Sequence, residues 1–262
     1  GNLGDITLRA LETLKAVDFI AAEDTRVTAK LLNRFEIKKP MLSYFEHNKA
    51  EKGEIICAKI LKGESCALVT DAGMPCISDP GEELVKQAYS HGIAVEVVPG
   101  PTAFASALAV SGQFSGRFCF EGFLSMNKKS RTEHLNSLIN ESRTIIFYEA
   151  PHKLKSTLED ILTVLGDRNI SLCRELTKIH EEVNKTTVQQ ALAALQTAPA
   201  KGEYVLVIEG AQKKPDENQY TLEQAVKIAQ DEILGGAKKP DAAKTAAAIT
   251  GCKKNDIYAQ LL

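Results

Sequence analysis

One central stretch, residues 66–110, constrains the fold of this 262-residue chain more than any other part. It contains two short apolar runs, residues 66–70 and 93–98, and each run ends in a loop rich in Gly and Pro that leads into a helix pattern. This order predicts a βαβ unit, in which two parallel strands place both loops at the carboxyl edge of one sheet. Ligands of open α/β sheets bind at that edge, so the two loops predict a shared ligand site.

The same loops also have a purely structural interpretation, which stays open. Asp79, Pro80 and Gly81 form a common turn sequence, and Asp71 or Asp79 would serve as a helix cap. Two such loops one βαβ unit apart favour a site, because the helices that follow them offer unpaired N–H groups to an anionic group.

The composition is that of a soluble globular protein of about two domains. The hydrophobic content is 44% and the charged content 25%, and no apolar run approaches the roughly 20 residues of a membrane span. The six cysteines are scattered, without a CxxC pair or a preceding signal peptide, so we expect reduced thiols, no metal site and a cytoplasmic protein. Gly1 lies inside a loop pattern, which predicts that an upstream strand has been removed.

Alternating strand and helix patterns predict an α/β fold with a helical addition. We expect a first α/β domain over residues 1–112, a second over residues 113–212 and a helical domain over residues 213–262. A polar linker, residues 211–219, leads into the helical domain. Residues 244–262 read as helix, Gly turn and helix, which resembles a DNA-binding helix-turn-helix but is also common in helical hairpins.

Polar residues directly follow predicted strands of the first domain. Glu23, Asp24 and Arg26 come after one strand, and His47 and Asn48 come after the next. Asp24 is as consistent with a helix N-cap as with a functional carboxylate, and a lone His in a polar loop is more often a surface residue.

The second domain has strand patterns at residues 117–123, 144–148, 170–173 and 204–208. The ends of these patterns again carry polar residues, among them Tyr148, Glu149, Arg174 and Glu203. Each is also consistent with a cap or a structural ion pair, but together they suggest a second wall that faces the loops of the first domain.

Several common nucleotide-binding and catalytic motifs are missing from the chain. No GxGxxG follows a strand, and GxxxxGK[ST], HExxH and GxSxG are absent as well. The ligand site must therefore be of another design.

Five ordered motifs supply that design. They are AAEDTR (residues 21–26), DAGMPCISDPG (71–81), VPGPTA (98–103), FYEAPH (147–152) and RELTK (174–178). Together with GNLGDIT at residues 1–7, these motifs resemble the tetrapyrrole methylase superfamily, and within it the members that methylate ribosomal RNA. The resemblance runs from Gly1 to the helical C-terminal region.

The resemblance implies a homodimeric two-domain α/β enzyme that holds S-adenosylmethionine in the cleft between the domains. The implied reaction is methylation of the ribose 2′-hydroxyl of a cytidine in the decoding region of small-subunit (16S) ribosomal RNA, within the 30S subunit. The positions that it assigns to cofactor binding are Asp71, Ala72, Gly73, Pro75, Ile77, Pro101, Thr102, Ala103, Tyr148, Glu149, Arg174 and Glu203. The family also begins with a strand that this chain lacks, which places cofactor binding and activity in question.

The acceptor side is a hypothesis from strand-end positions. We expect Glu23, Asp24, Arg26, His47 and Asn48 to form it, with Asp24 or His47 as general base and Arg26 against a phosphate.

RNA binding by a chain of net charge −2 requires local basic surface. The candidates are Lys128, Lys129 and Arg131 in a predicted loop, and Lys238, Lys239, Lys253 and Lys254 in the helical domain. Two alternatives stay open: a methyltransferase for a tetrapyrrole or for diphthamide, and a non-catalytic regulator that binds DNA through the C-terminal helices.

Overall fold

The computed structural model describes residues 1–212 and 220–261. The predicted linker falls mainly on residues 213–219, which lie outside the described residues together with Leu262. The chain divides into two compact units, Gly1–Ala211 and Gln212–Leu262, and each is described by itself.

The first sheet of the larger unit is parallel and small in the described chain. Its strands are β1 (Phe19–Ala22), β2 (Met41–Ser43) and β3 (Cys66–Val69), in the order β2-β1-β3. All four residues of β1 are buried, as expected for a central strand covered on both faces. The sequence predicted each of these strands to within one residue at each end.

Helices follow each strand and precede the first one. They are α1 (Leu8–Ala16), α2 (Thr25–Arg34), α3 (Lys49–Leu61) and α4 (Glu82–Ser90). Thr7 caps α1, since its side chain accepts a hydrogen bond from the Ala10 N–H. Leu8 in the first turn of α1 is 79% exposed, whereas Leu14 further along the helix is buried.

The predicted strand at residues 93–98 is wrong: the structure has no strand there. The segment is largely apolar, yet Val95 and Val97 are exposed, and β3 is the edge strand on that side of β1. A strand requires backbone hydrogen bonds to a neighbour, and no described segment pairs with these residues. Hydrophobic pattern alone does not supply that neighbour.

The second sheet is mixed and larger. Its strands are β4 (Phe118–Phe123), β5 (Thr144–Glu149), β6 (Asn169–Arg174), β7 (Glu182–Thr187) and β8 (Tyr204–Ile208). The order is β4-β5-β8-β6-β7, with β4 and β5 parallel and the other pairs antiparallel. The sequence predicted all but β7, whose polar, exposed residues carry little strand signal at the sheet edge.

The helices around this sheet are α5 (Ala103–Ser111), α6 (Lys128–Ser137), α7 (Leu154–Leu165) and α8 (Val188–Thr197). α7 is amphipathic, since Leu154, Leu158 and Ile161 recur at helical spacing and are fully buried in the core beside the sheet. On the other face, Ala107 and Leu108 of α5 pack against residues of β5, β6 and β8. So α5 covers the second sheet, although the sequence assigned it to the first domain.

The segment predicted as a basic loop around Lys128 is instead the first turn of α6. Asn127 caps this helix by accepting a hydrogen bond from the Ser130 N–H. The sequence did not indicate this helix because most of its residues are polar and show little hydrophobic periodicity. Of its ten residues, only Arg131 and Leu135 are buried.

The smaller unit is a helical hairpin with one further helix. Its described helices are α9 (Leu222–Leu234), α10 (Lys239–Thr250) and α11 (Lys254–Ala259), around a core of small residues such as Ala225 and Ala246. Gly251 ends α10 with φ 72°, a conformation that favours glycine. The predicted helix, Gly turn and helix are confirmed. Within the described residues, no helix combines the length and the apolar character needed to cross a bilayer.

Candidate active site

The two predicted ligand loops touch each other at the carboxyl edge of the first sheet. The Met74 N–H, in the loop after β3, donates a hydrogen bond of 3.1 Å to the Pro101 carbonyl, just before α5. Gly73 has φ +83°, and a Cβ added there would lie 2.8 Å from the same oxygen. Only glycine permits this approach, so the contact explains why the loop has a glycine at this position.

The end of β1 is joined to the same loop by two backbone-to-carboxylate hydrogen bonds. The Asp24 N–H donates to Asp71 Oδ1 at 3.2 Å, and the Asp71 N–H donates to Glu23 Oε2 at 3.3 Å. Since Ala22 and Val69 are paired in the sheet, the two strand ends arrive side by side. The predicted acceptor residues therefore adjoin the predicted cofactor loop.

Asp24 has a structural role in this arrangement. It is the N-cap of α2 and accepts from the Arg26 N–H at 2.8 Å, while the Arg26 guanidinium approaches its carboxylate to 2.6 Å. These hydrogen bonds from Arg26 lower the pKa of Asp24 to about 2. The N-cap interpretation that the sequence left open is thus confirmed, and Arg26 is paired to Asp24.

Glu23 and Asp79 lie in a different electrostatic environment. Burial raises the pKa of Glu23, the Asp71 N–H opposes that shift, and the charges of Asp79, Asp71 and Asp24 add to it. Burial also raises the pKa of Asp79, with a further contribution from Asp71. This edge of the sheet is therefore acidic and suited to a cationic group.

His47 and Asn48 follow β2 at the same edge. The Asn48 amide holds a turn, since its Oδ1 accepts from the Phe45 N–H at 2.8 Å and its Nδ2 donates to the Ser43 carbonyl at 3.2 Å. His47 is exposed and packs edge-on against Phe45, with ring centroids 6.3 Å apart. Asn48 thus shapes the loop, whereas the imidazole of His47 is open to solvent.

Tyr148 brings the second sheet to the first-sheet loops. Its hydroxyl accepts a hydrogen bond of 3.1 Å from the Phe104 N–H, in the first turn of α5. Burial raises the pKa of Tyr148, with the Phe104 N–H opposing and the charge of Asp79 adding to the shift. Tyr148 is thus the predicted second-domain residue that the structure places at the ligand loops.

The other predicted second-domain residues are bound within the fold. Glu149 is 2% exposed and accepts from the Ala150 N–H and the Thr157 hydroxyl, which argues against a cofactor contact by its side chain. Arg174 pairs with Glu182 at 2.7 Å.

Glu203 is paired at its surface position with Lys178, at 3.0 Å. Lys178 also binds Glu175 at 2.9 Å, so one ammonium group joins the two carboxylates. The cofactor roles of Arg174 and Glu203 stay predictions.

Sequence reasoning missed one contact between two motifs. The Asn2 N–H donates to Thr177 Oγ1, and Asn2 Nδ2 donates to the Thr177 carbonyl, each at 3.2 Å. Thr177 and Glu175 have positive φ values of 66° and 49°, a conformation that non-glycine residues rarely adopt. The motifs GNLGDIT and RELTK therefore form one strained surface, and no sequence signal indicated that they meet.

The family model for Tetrapyrrole (Corrin/Porphyrin) Methylases matches residues 1–192, which is most of the chain. This chain belongs to that family.

Relatives within the tetrapyrrole methylases match almost the whole chain. One from Halalkalibacterium halodurans, named ribosomal RNA small subunit methyltransferase I, is 45% identical over 98% of this chain and 90% of its own length. One of the same name from Haemophilus influenzae is 46% identical over 98% of this chain and 92% of its own length.

Solved structures support the same fold at lower similarity. Uroporphyrin-III C-methyltransferase from Thermus thermophilus, in complex with S-adenosyl homocysteine, has a TM-score of 0.55 at 16% identity. The match covers 80% of this chain and 93% of that structure. At this identity the likeness shows the tetrapyrrole methylase fold alone.

The lysines predicted to contact RNA lie in two places in this tetrapyrrole methylase chain. Lys128 and Lys129 are exposed at the start of α6, and the lysines of the helical unit are exposed at helix starts, at positions 238, 239, 253 and 254. Arg131 differs, because it is 7% exposed and its guanidinium binds Asp160 at 2.6 Å and the Ser125 carbonyl. We therefore withdraw Arg131 from the basic surface.

Two open concavities of this tetrapyrrole methylase chain lie away from the loops described above. One, of about 440 Å³, is lined by residues of α2 and by Lys38, Lys39 and Pro40, and another, of about 400 Å³, lies around Lys185 and Gln113. The ligand loops themselves form an open edge, since Asp71, Gly73 and Pro101 are exposed.

Proposed function

We propose that this chain transfers a methyl group from S-adenosylmethionine to a ribose 2′-hydroxyl of a cytidine in small-subunit ribosomal RNA. The observation that carries the proposal is the identity of 45% over nearly the full length of a relative with the corresponding name. Loop residues of AAEDTR, DAGMPCISDPG and VPGPTA meet at one sheet edge, and Tyr148 of FYEAPH contacts the start of α5 beside them, which supports the same activity.

The loops at this edge fit S-adenosylmethionine chemically. In the described chain, neither Gly81 at the start of α4 nor Thr102 at the start of α5 makes a side-chain cap. The Phe104 N–H donates to Tyr148, and the other first-turn N–H groups suit a carboxylate. Asp71 and Asp79 suit the ammonium and sulfonium charges. When bound, the cofactor supplies a methyl group on a positively charged sulfur.

The residues on the cofactor side of the proposed site are those of the two loops, Asp71, Ala72, Gly73, Pro75, Ile77, Pro101, Thr102 and Ala103, with Tyr148 from the second sheet. Their task is to hold the reacting groups in line, and such positioning contributes ~7–11 kcal/mol in favourable reactions. Tyr148 contributes by fixing the start of α5 through its bond from the Phe104 N–H.

The acceptor side is proposed to be Glu23, Asp24, Arg26, His47 and Asn48. Asp24 and Asn48 shape the backbone there, as their hydrogen bonds indicate. Arg26 is exposed at 88% of its side chain, so its free edge is open to a phosphate of the RNA while its other edge binds Asp24.

RNA binding is assigned to exposed lysines, because phosphate contacts supply most of the affinity of such proteins. The helical unit carries four of the proposed lysines, at positions 238, 239, 253 and 254, all near helix starts. We propose that this unit provides RNA affinity and that residues 1–211 provide the cofactor site.

A shortened chain tests this division of labour. The chain ending at Ala211 is expected to bind S-adenosylmethionine like the full chain and to lose most affinity for small-subunit RNA. Calorimetry and filter binding at two salt concentrations measure both quantities. Equal RNA affinity and equal salt dependence of the two chains would contradict the assignment.

A homodimer acting on the 30S subunit in the cytoplasm completes the proposal. The edge strand β4 exposes Phe118 and Phe123, and Phe114 just before it is 70% exposed. An apolar sheet edge of this kind favours coverage by a second copy. Sedimentation of the protein over a concentration range measures the association.

The activity is tested with labelled S-adenosylmethionine and two substrates from cells that lack the modification: deproteinised small-subunit RNA and assembled subunits. The product is digested to nucleosides and identified by mass. We expect labelled 2′-O-methylcytidine. Label in a base, or no label in either substrate despite measured cofactor binding, would refute the proposed reaction.

A further inference from the structure

We infer that Glu23 is the general base that accepts the proton of the ribose hydroxyl. The inference rests on the proposed function and replaces the sequence-based choice of Asp24 or His47. It is derived from the hydrogen bonds, burial and charges at the end of β1.

Asp24 is poorly suited to accept a proton. Both of its carboxylate oxygens bind the Arg26 guanidinium, and one of them also accepts the Arg26 N–H. Protonation would weaken an ion pair and a helix cap, and the hydrogen bonds from Arg26 hold the pKa of Asp24 at about 2, which makes this carboxylate a weak base.

His47 is less suited on geometric grounds. It lies in an exposed turn after β2, and its ring packs edge-on against Phe45. The described structure gives His47 no hydrogen bond that would orient one ring nitrogen, whereas a general base is normally held by such a partner.

Glu23 meets both requirements. It follows the central strand β1, whose residues are fully buried, so its backbone position is rigid. The Asp71 N–H holds Oε2 at 3.3 Å, and Oε1 has no hydrogen-bond partner among the described residues. One oxygen is therefore fixed at the first residue of the ligand loop, and the other is free to accept a proton.

The negative charges around Glu23 also favour proton uptake by its carboxylate. The charged groups facing Glu23 are Asp71 and Asp79 of the loop after β3, and Asp24, whose charge is shared with Arg26. Half-burial beside carboxylates makes Glu23 a stronger base than an isolated glutamate. A basic Glu23 is useful because a ribose hydroxyl is a weak acid.

The proposed step balances without another reactant. The hydroxyl oxygen bonds to the methyl carbon, the methyl–sulfur bond breaks with its electron pair left on sulfur, and the hydroxyl proton passes to Glu23. The carboxyl group then releases this proton to water, which restores the ionised form.

The substitution Glu23→Gln separates this role from a structural one. Glutamine retains an oxygen that accepts the Asp71 N–H, so loop position and cofactor affinity are expected to persist. We expect kcat to fall by roughly 10²–10⁴, the usual contribution of a general base. Glu54→Gln, an exposed substitution in α3, is the matched control and is expected to retain full activity.

The dependence of rate on pH gives a second criterion. The unmodified enzyme requires ionised Glu23, so its rate falls as the pH drops through the raised pKa of this group. Glu23→Gln should lack that limb in its residual activity, whereas Asp24→Asn should keep it even if its rate is reduced.

A readout independent of turnover completes the test. Carbon-13 NMR of carboxyl-labelled glutamate measures the ionisation of Glu23 in the free protein. The Glu23 signal is assigned by its absence from the Glu23→Gln spectrum, and its titration midpoint should lie above that of an ordinary glutamate. A Glu23 titration midpoint equal to that of an ordinary glutamate would contradict the inference. So would a Glu23→Gln rate within about threefold of the unmodified rate, or loss of cofactor binding by this variant.

Failure of the inference is distinguishable from failure of the proposed function. An active unmodified enzyme with an active Glu23→Gln variant contradicts the role of Glu23 alone. No methyl transfer by the unmodified enzyme to either RNA substrate contradicts the proposed function as well.

Discussion

The contact between the two ligand loops predicts the effect of Gly73→Ala. Gly73 has φ +83°, and an added Cβ would lie 2.8 Å from the Pro101 carbonyl oxygen, which belongs to the backbone. An alanine in this conformation costs roughly 1–2 kcal/mol. Relief of the clash would also break the hydrogen bond from the Met74 N–H, worth about 0.5–1.5 kcal/mol.

These two costs fall on the loop arrangement that we propose as the cofactor site. If the loops separate in the free variant, binding has to restore the strained arrangement, at a combined cost of about 1.5–3.5 kcal/mol. Since 1.4 kcal/mol corresponds to a factor of ten, we expect Kd for S-adenosylmethionine to rise by roughly 10- to 300-fold. Titration calorimetry of the purified protein measures this change.

Gly92→Ala is a matched control for the backbone strain. Gly92 has φ +70°, but an added Cβ would meet no atom within 4 Å. This variant should lose roughly 1–2 kcal/mol of the free energy of unfolding and keep its affinity for the cofactor. If Gly73→Ala binds as tightly as Gly92→Ala, the loop contact does not organise the cofactor site.

Two other predictions concern stability. Thr157→Val removes the hydroxyl that donates to the buried Glu149 carboxylate, and should lower the free energy of unfolding, measured in urea, by roughly 1–3 kcal/mol. Thr163→Val on the exposed side of α7 should lower it far less. Arg131→Ala leaves Asp160 unpaired and should lower the free energy of unfolding by about 3–5 kcal/mol. Lys129→Ala should leave that free energy unchanged and weaken RNA binding. Equal unfolding midpoints within either pair would contradict the assigned roles.

The elements that the sequence predicted well have strong local signals. β1 and β8 are continuous apolar runs bounded by polar residues, and α7 repeats leucines at helical spacing. Such patterns persist because each element buries one stripe or both faces against a neighbour, whatever that neighbour is.

The elements that it mispredicted depend on neighbours or on polar residues. Residues 93–98 have a strand pattern without a strand beside them, and β7 has a strand without an apolar pattern because it lies at a sheet edge. The helix α6 was predicted as a loop because its residues are mostly polar and show no apolar pattern. Backbone pairing and capping decide these segments, and neither follows from hydrophobicity.

The site shows the same division. Sequence motifs were enough to identify the family. They also predicted that two loops and the polar strand ends lie at one edge, because parallel strands bring their carboxyl ends together there. Sequence alone left the roles of those residues open. Asp24 proved to be a cap, Arg131 an internal ion-pair partner and Glu149 a buried hydrogen-bond acceptor.

Local order along the chain thus determined the class of fold and the place of the site, since strand, loop and helix patterns are properties of adjacent residues. Tertiary structure alone decided which charges are paired and which carboxylate keeps a free oxygen. Glu23 and Asp24 are neighbours in sequence, yet Arg26 neutralises Asp24, while burial beside Asp71 and Asp79 raises the pKa of Glu23. Ionisation depends on distance and solvent exposure in three dimensions, which neighbouring residues in a sequence do not specify.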